Sequence, residues 1–398
     1  MRLSALFLTA ALLVAPASAQ TFQVLYSFHF TDGSTPNGSL IRDKAGNLYG
    51  TTQLGGTSAR GVVFKLTPAG VETILYNFTG GADGGIPIGR LVGDAQGNLY
   101  GITSLGGDPA CSCGTVFKLA PGGQLTVLHA FLGGTDGAQN SGQPELGLVM
   151  IGTDLYGAAS FGGVSGCDGT LGCGVIFKVT QAGDETVLYR FTGKADGAFP
   201  QDLIADNQGN LYGATGGSYV SGNAGTIFKM TTAGAMTVQY TFPGGATGTS
   251  PRWRLLRSST GTFVGVTQFG GDTNCPVASS GCGVLYAVNA AGREHVLHAF
   301  NTASQDGQMP SGGTLDAAGN LYGATFYGGI VNSTCTFGCG VVYQLTRAGK
   351  YNVLYRFTGG NDGWIPTGGL TADGSGNIYG TAVNGGGSDN GVVFKIMP

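Results

Sequence analysis

Short apolar runs recur along this chain at long, regular intervals. Residues 46–78 hold three of them, LYGTT, GVVFKLT and TILYNF, separated by Gly-rich and Pro-Gly turns. The third run closes on Phe28, Phe78, Phe131, Phe191, Phe242, Phe300 and Phe357, a period of 50 to 60 residues. The LYG run returns at 48–50, 99–101, 155–157, 211–213, 321–323 and 378–380, with FVG at 263–265 as a divergent copy. The GVVFKL run starts at Gly61, Gly114, Gly174, Gly225, Gly283, Gly340 and Gly391. Runs of this length, rich in Val, Ile, Phe, Tyr and Thr and bounded by Gly, Pro, Asn and Asp, predict strands. A further strand fits before each LYG run, as at 39–43, 90–94 and 369–373, and a D-x-x-G-N turn such as 43–47 leads out of it. No stretch after the first twenty residues keeps a helical period.

One unit is therefore four short antiparallel strands. A period of 50 to 60 residues with four strands predicts an all-β, seven-bladed β-propeller. A β-helix would need a shorter coil. The order of the runs also predicts how the ring closes. The first apolar run after residue 20, VLYSF, is the last strand of a unit, and the chain finishes on the third strand of a unit, GVVFKIMP. Pairing Thr21–Phe30 beside Gly391–Ile396 completes seven blades and covers edges that would otherwise template aggregation. An open array would be expected to carry polar capping repeats instead.

Residues 1–19 break the pattern. Arg2 precedes an apolar stretch from Leu3 to Ala15, and Ala17-Ser18-Ala19 forms an A-x-A site, so a signal peptide cleaved after Ala19 is expected. The competing reading, a membrane anchor, wants about 20 apolar residues. The unbroken repeat makes residues 20–398 a single propeller domain, with no transmembrane segment after cleavage. Gly accounts for 76 of 398 residues and charged residues for 10%, yet 42% hydrophobic content and periodic strands argue against disorder. A net charge of −3 without a basic cluster offers no phosphate track, so nucleic acid is not an expected partner. Lys65, Lys118, Lys178, Lys229 and Lys395 recur at one strand position, as stems on the blade with solvated heads.

Eight cysteines at 111, 113, 167, 173, 275, 282, 335 and 339 all fall in the loop between the second and third strands of units two, three, five and six. Eight Cys in an exported chain imply disulfides. Cys167–Cys173, Cys275–Cys282 and Cys335–Cys339 are expected to close within their own loops, whereas the C-x-C spacing of Cys111 and Cys113 leaves that pairing open. Zinc would want His partners or paired C-x-x-C spacing, and these loops have neither.

Between units the chain reads T-G-G-x-D-G-x-x-P, with Asp32, Asp83, Asp136, Asp196, Asp306 and Asp362 at the acidic position and Thr247 in the fifth loop. A ring of carboxylates could contact a ligand. Six repetitions of one Asp-Gly-Pro turn favour a local structural use, and D-G-x-x-P supplies one oxygen ligand where a calcium loop wants several. Of the four His, His129 and His298 take the Tyr slot of VLYxF and read as packed strand residues. Nucleophile-elbow, zinc-protease, phosphate-loop and dinucleotide motifs are absent from fitting contexts, so no catalytic residue, metal or cofactor is assigned. Unit five departs most, reading PRWRLLRSSTGTFVG where its neighbours read PxGxLxxDxxGNLYG. Arg252, Trp253 and Arg254 fall on the strand expected to line the central channel, and Arg90 sits at a comparable place in unit two. They are candidates for an anionic or sugar ligand, by charge and stacking. The competing reading makes Trp253 a filler between blades. Trp364 is a second candidate contact, on the loop face.

The motifs T-G-G-x-D-G-x-x-P, G-N-L-Y-G-T-T, G-G…G-x-V-F-K-L and V-L-Y-x-F together resemble the Gloeo/Verruco tandem repeat, over nearly all of residues 21–398. The resemblance implies an exported bacterial repeat protein of the "choice-of-anchor" kind, secreted or held at the cell surface or in the periplasm, and brings no catalytic residues with it. The expected function is a monomeric extracellular binding or scaffold module for glycans, other surface polymers or a small ligand. A hydrolase or lyase acting at the central pocket is the alternative.

Overall fold

A computed structural model describes residues 20–134, 136–137, 147–167, 172–217, 222–258, 260–276, 278–301 and 305–397. The expected signal peptide lies outside the described residues. Seven antiparallel sheets form a ring, the seven-bladed propeller read from the repeat. Blades 1 to 6 occupy residues 34–77, 85–130, 149–190, 200–241, 249–299 and 308–356. Blade 7 combines residues 371–397 with the N-terminal strand Thr21–Ser27, which pairs antiparallel with Val392–Met397, as expected. The helical content of the described residues is one 3₁₀ turn, Gly245–Thr247.

The innermost strands differ in extent from the sequence expectation. In blade 2 this strand begins earlier, at Gly85–Gly93, while in blade 1 it splits into Ser34–Pro36 and Ile41–Arg42, and in blade 7 it shrinks to Thr371–Ala372. Close backbone approach around the axis explains the breaks. A Cβ on Gly38 would meet the carbonyl oxygen of Gly89 at 2.2 Å, and one on Gly368 would meet that of Gly38 at 2.8 Å.

Blades are locked to one another by two repeated devices. The closing Phe of each unit packs edge-on against an aromatic ring of the next blade, as in Phe28 on Phe64, Phe78 on Phe117, Phe191 on Phe228 and Phe357 on Phe394. These Phe side chains are 0% exposed, and burial of each is worth roughly 1.5–3 kcal/mol. The second device joins the Gly that opens GVVFKL to the Pro of the following inter-blade loop. A Cβ on Gly174, which has φ +93°, would strike Pro200 Cδ at 2.3 Å; Gly283 and Pro310 repeat the contact at 2.5 Å. The residue before that Pro is left-handed in six loops: Thr35, Ile86, Phe199, Ser250, Met309 and Ile365, at φ 51–60°. Such a conformation costs a bulky residue free energy. Its N–H is recovered across the seam, as in Phe199 N–H to Cys173 O at 2.9 Å and Met309 N–H to Cys282 O at 2.8 Å.

All eight cysteines are paired within their loops, Cys111–Cys113 included. Lys65, Lys118, Lys229 and Lys395 lie over the tyrosine rings of the neighbouring strand, at 5.7–5.9 Å, and Lys178 instead pairs with Asp154 at 3.1 Å.

Candidate ligand site in the central channel

The seven inner strands surround the axis. Their side chains at one level can be aligned by the Leu that packs on the Gly of LYG: Leu40 on Gly50, Leu91 on Gly101, Leu203 on Gly213, Leu255 on Gly265 and Leu370 on Gly380. The residue just before that Leu is Ser39, Arg90, Asp202, Arg254 and Gly369. Three of these blades thus present charge where the others present Ser or Gly.

Asp202 is the centre of this group. It is 1% exposed, and its Oδ1 accepts the backbone N–H groups of Leu203 at 2.8 Å and of Gly147, just ahead of blade 3, at 3.2 Å. Burial pushes its carboxyl up, and the Arg90 and Arg254 guanidinium groups oppose that shift. Arg90 reaches to the entry of blade 3 to donate from Nη2 to Leu148 O at 3.3 Å. Arg252 and Arg254 are both half-buried on the inner strand of blade 5. The Arg90 and Arg254 charges therefore both act on one carboxylate, at a level of the ring where blades 1 and 7 carry Ser39 and Gly369.

The two tryptophans lie elsewhere. Trp253 is 4% exposed and adopts φ 71°, where the pairing register breaks between Arg252 and Leu256. Its indole N–H donates to Pro310 O in blade 6 at 3.0 Å, and its ring lies 5.4 Å from Phe326. Trp364 is half-buried on the loop face, bridged to Asn384, with its indole N–H 3.4 Å from Asp389 Oδ1.

The inter-blade carboxylates are consumed by their own turns. Asp362 accepts the Tyr355 hydroxyl at 2.9 Å, Thr358 N–H at 2.8 Å, Thr358 Oγ1–H at 2.6 Å and Gly360 N–H at 3.3 Å. Asp83 and Asp196 repeat this with Tyr76 and Thr79, and with Tyr189 and Thr192. In the fifth loop, where Thr247 replaces Asp, the Tyr240 hydroxyl donates to Glu294 Oε2 at 2.7 Å instead. His298, in the Tyr slot, pairs with Asp306 at 2.7 Å.

Asp202 escaped the motif reading because the spacing from Pro to Leu on its inner strand is one residue shorter. Pro200-Gln201-Asp202-Leu203 stands where blade 2 has Pro87-Ile88-Gly89-Arg90-Leu91. Counting forward from Pro misplaces Asp202; counting back from Leu aligns it with Arg90 and Arg254.

Seven blades around a side-chain-lined channel define a seven-bladed β-propeller. The chain belongs to the Gloeobacter/Verrucomicrobia repeat family, whose profile matches residues 13–172, 143–335 and 276–398. No curated protein sequence matches it. Among solved structures it is similar to a streptogramin B lyase, with a TM-score of 0.60 and 13% identity over 95% of this chain and 97% of that one. It is also similar to the extracellular domain of a protein described as a hybrid two-component system from B. thetaiotaomicron, with a TM-score of 0.54 and 15% identity over 94% of this chain and 41% of that one. At these identities the likeness concerns the fold alone.

Proposed function

We propose that this protein is an extracellular binding module whose central channel receives the acidic group of a surface glycan. The observation that carries this reading is the placement of Arg90 and Arg254 around Asp202, with Arg252 on the same inner strand as Arg254. Guanidinium groups on a rigid ring of strands are suited to paired hydrogen bonds with a carboxylate. Four disulfides suit an oxidising compartment, and no helix among the described residues is long and apolar enough to cross a membrane. The test is calorimetric titration of the full chain with tetragalacturonate, with maltotetraose as the neutral control. Binding of the acidic sugar alone, weakened about tenfold by Arg254→Gln, is expected. Equal affinity for the neutral sugar, or wild-type affinity in Arg254→Gln, would overturn it.

The alternative, a hydrolase or lyase, draws on one observation: burial raises the Asp202 carboxyl, as suits a general acid in a channel. Turnover of the acidic oligosaccharide that disappears in Asp202→Asn while binding persists would favour that reading.

A further inference from the structure

At the end of the ring opposite the disulfide loops, a groove of about 330 Å³ opens between blades 4 and 5. That is near the lower bound of ligand clefts, which run from roughly 300 to 1,000 Å³. Tyr212 and Lys229 of blade 4 form one wall, and Arg257, Thr260, Phe263 and Asn289 of blade 5 the other. The Arg257 guanidinium stacks over the Tyr212 ring at 4.8 Å and lies 5.8 Å from that of Phe263. Lys229 Nζ stands 5.8 Å from the same Tyr212 ring. Two cations therefore share one aromatic floor.

The turn beside them differs from its counterparts. Blades 1, 2, 4, 6 and 7 open it with Asp43, Asp94, Asp206, Asp316 and Asp373, whereas blade 5 has Ser258. The hydroxyls keep the turn: Ser258 Oγ lies 2.8 Å from Thr260 Oγ1 and accepts Thr262 N–H at 3.0 Å. The negative charge is gone. Across the groove, Asp206 is already engaged by Asn210, Tyr212 and Gln208. Burial raises its carboxyl, and those bonds outweigh burial and hold it at about 2. The seam between blades 7 and 1 makes a natural comparison. Arg42 acts there on Tyr379, and Lys395 lies 5.7 Å from that ring, but Asp43 directly follows Arg42.

A guanidinium stacked on a ring uses its faces and keeps its in-plane N–H donors for an anion. We infer that this groove is a second carbohydrate site, independent of the channel, that takes a sugar bearing a carboxylate or sulfate. Arg257 grips two anionic oxygens, Lys229 adds a point charge, and Thr260 and Asn289 meet neighbouring hydroxyls.

The test uses the full chain in an Arg254→Gln background, which separates the groove from the channel. It is titrated with tetragalacturonate, a sulfated tetrasaccharide, maltotetraose and sodium sulfate. At least one acidic tetrasaccharide is expected to bind, more weakly as salt rises, and the arm that binds identifies the anion. Adding Arg257→Gln should weaken that binding about tenfold or more, Lys229→Gln by less, and Arg42→Gln not at all. Thermal midpoints check folding of each variant, and Lys229→Gln carries the test if Arg257→Gln unfolds. The inference fails if neither acidic tetrasaccharide binds in this background, or if maltotetraose binds as well. It fails equally if Arg42→Gln weakens binding as much as Arg257→Gln, or if neither Arg257→Gln nor Lys229→Gln weakens it. Equal affinity for sulfate alone would overturn the sugar assignment.

Discussion

Asp362 sits in the loop between blades 6 and 7, with a tyrosine hydroxyl, a threonine hydroxyl and two backbone N–H groups directed at it. Asp202 lies on the inner strand of blade 4, 1% exposed, with two backbone N–H groups on one oxygen and guanidinium groups for company. The first carboxylate recurs in six of seven loops, and in each it accepts the backbone N–H of the residue after the closing Phe. The second occurs once. Where a repeat returns a residue unchanged, the residue serves the blade and its seam. Where one blade departs, as blades 2, 4 and 5 do in the channel, the departure has no structural counterpart in its neighbours and becomes the place to look for chemistry.

The largest effect should come from breaking the repeated framework at its closure. A chain starting at Thr31 loses the strand Thr21–Ser27 and the buried Phe28, together with Phe22, whose ring stacks 3.7 Å from Tyr355. Several buried side chains worth roughly 1.5–3 kcal/mol each are lost against a typical domain stability of about 5–15 kcal/mol. Aggregation, or a thermal midpoint lowered by more than about 10 °C relative to a chain starting at Gln20, is expected. Equal midpoints and solubility would show that the ring holds without that strand.

Next in size is the seam lock. Gly174→Ala places a Cβ 2.3 Å from Pro200 Cδ at a left-handed residue, so a loss of about 3 kcal/mol or more is expected in denaturant titration. A loss under 1 kcal/mol would mean that the seam yields.

The two carboxylates themselves give the sharpest contrast. Asp362→Asn should cost about 1–3 kcal/mol at neutral pH, because donors in the turn lose their charged acceptor. Asp202→Asn should behave differently. A carboxyl raised by burial keeps its proton longer in the folded chain than in the unfolded chain, so stability falls as pH rises through that window. The Asn variant lacks that penalty. Its melting midpoint should equal the wild type at acidic pH and exceed it at pH 8. A lower midpoint at pH 8 would show that Arg90 and Arg254 outweigh burial.

The smallest effect concerns Glu72, at the seam of blades 7 and 1. Burial and then the Asp32 charge push its carboxyl up to about 7, from 4.5. Stability from this group is present below about 4.5 and is lost as pH rises through 7. Glu72→Gln should therefore raise the melting midpoint at pH 8 by no more than about 2 °C and leave it unchanged at pH 4. A shift at both pH values would place the effect in packing.

Much of this molecule was legible in one dimension. The sevenfold return of LYG, GVVFKL and VLYxF specified strand count, blade number and the closing partner of the N-terminal strand, because a blade buries its apolar faces only against copies of itself. The cysteines' place in one loop of each unit likewise pointed to local bridges. Other features depend on what meets across a seam or an axis. The left-handed residue before each Pro is set by an N–H bond to the preceding blade. The indole of Trp253 turns between blades 5 and 6 because Pro310 O receives it there. Arg90, Asp202 and Arg254 are separated by 112 and 52 residues along the chain and converge only because inner strands from different blades point at one axis. Periodicity records what each unit needs for itself; it carries no record of which side chains the closed ring brings together.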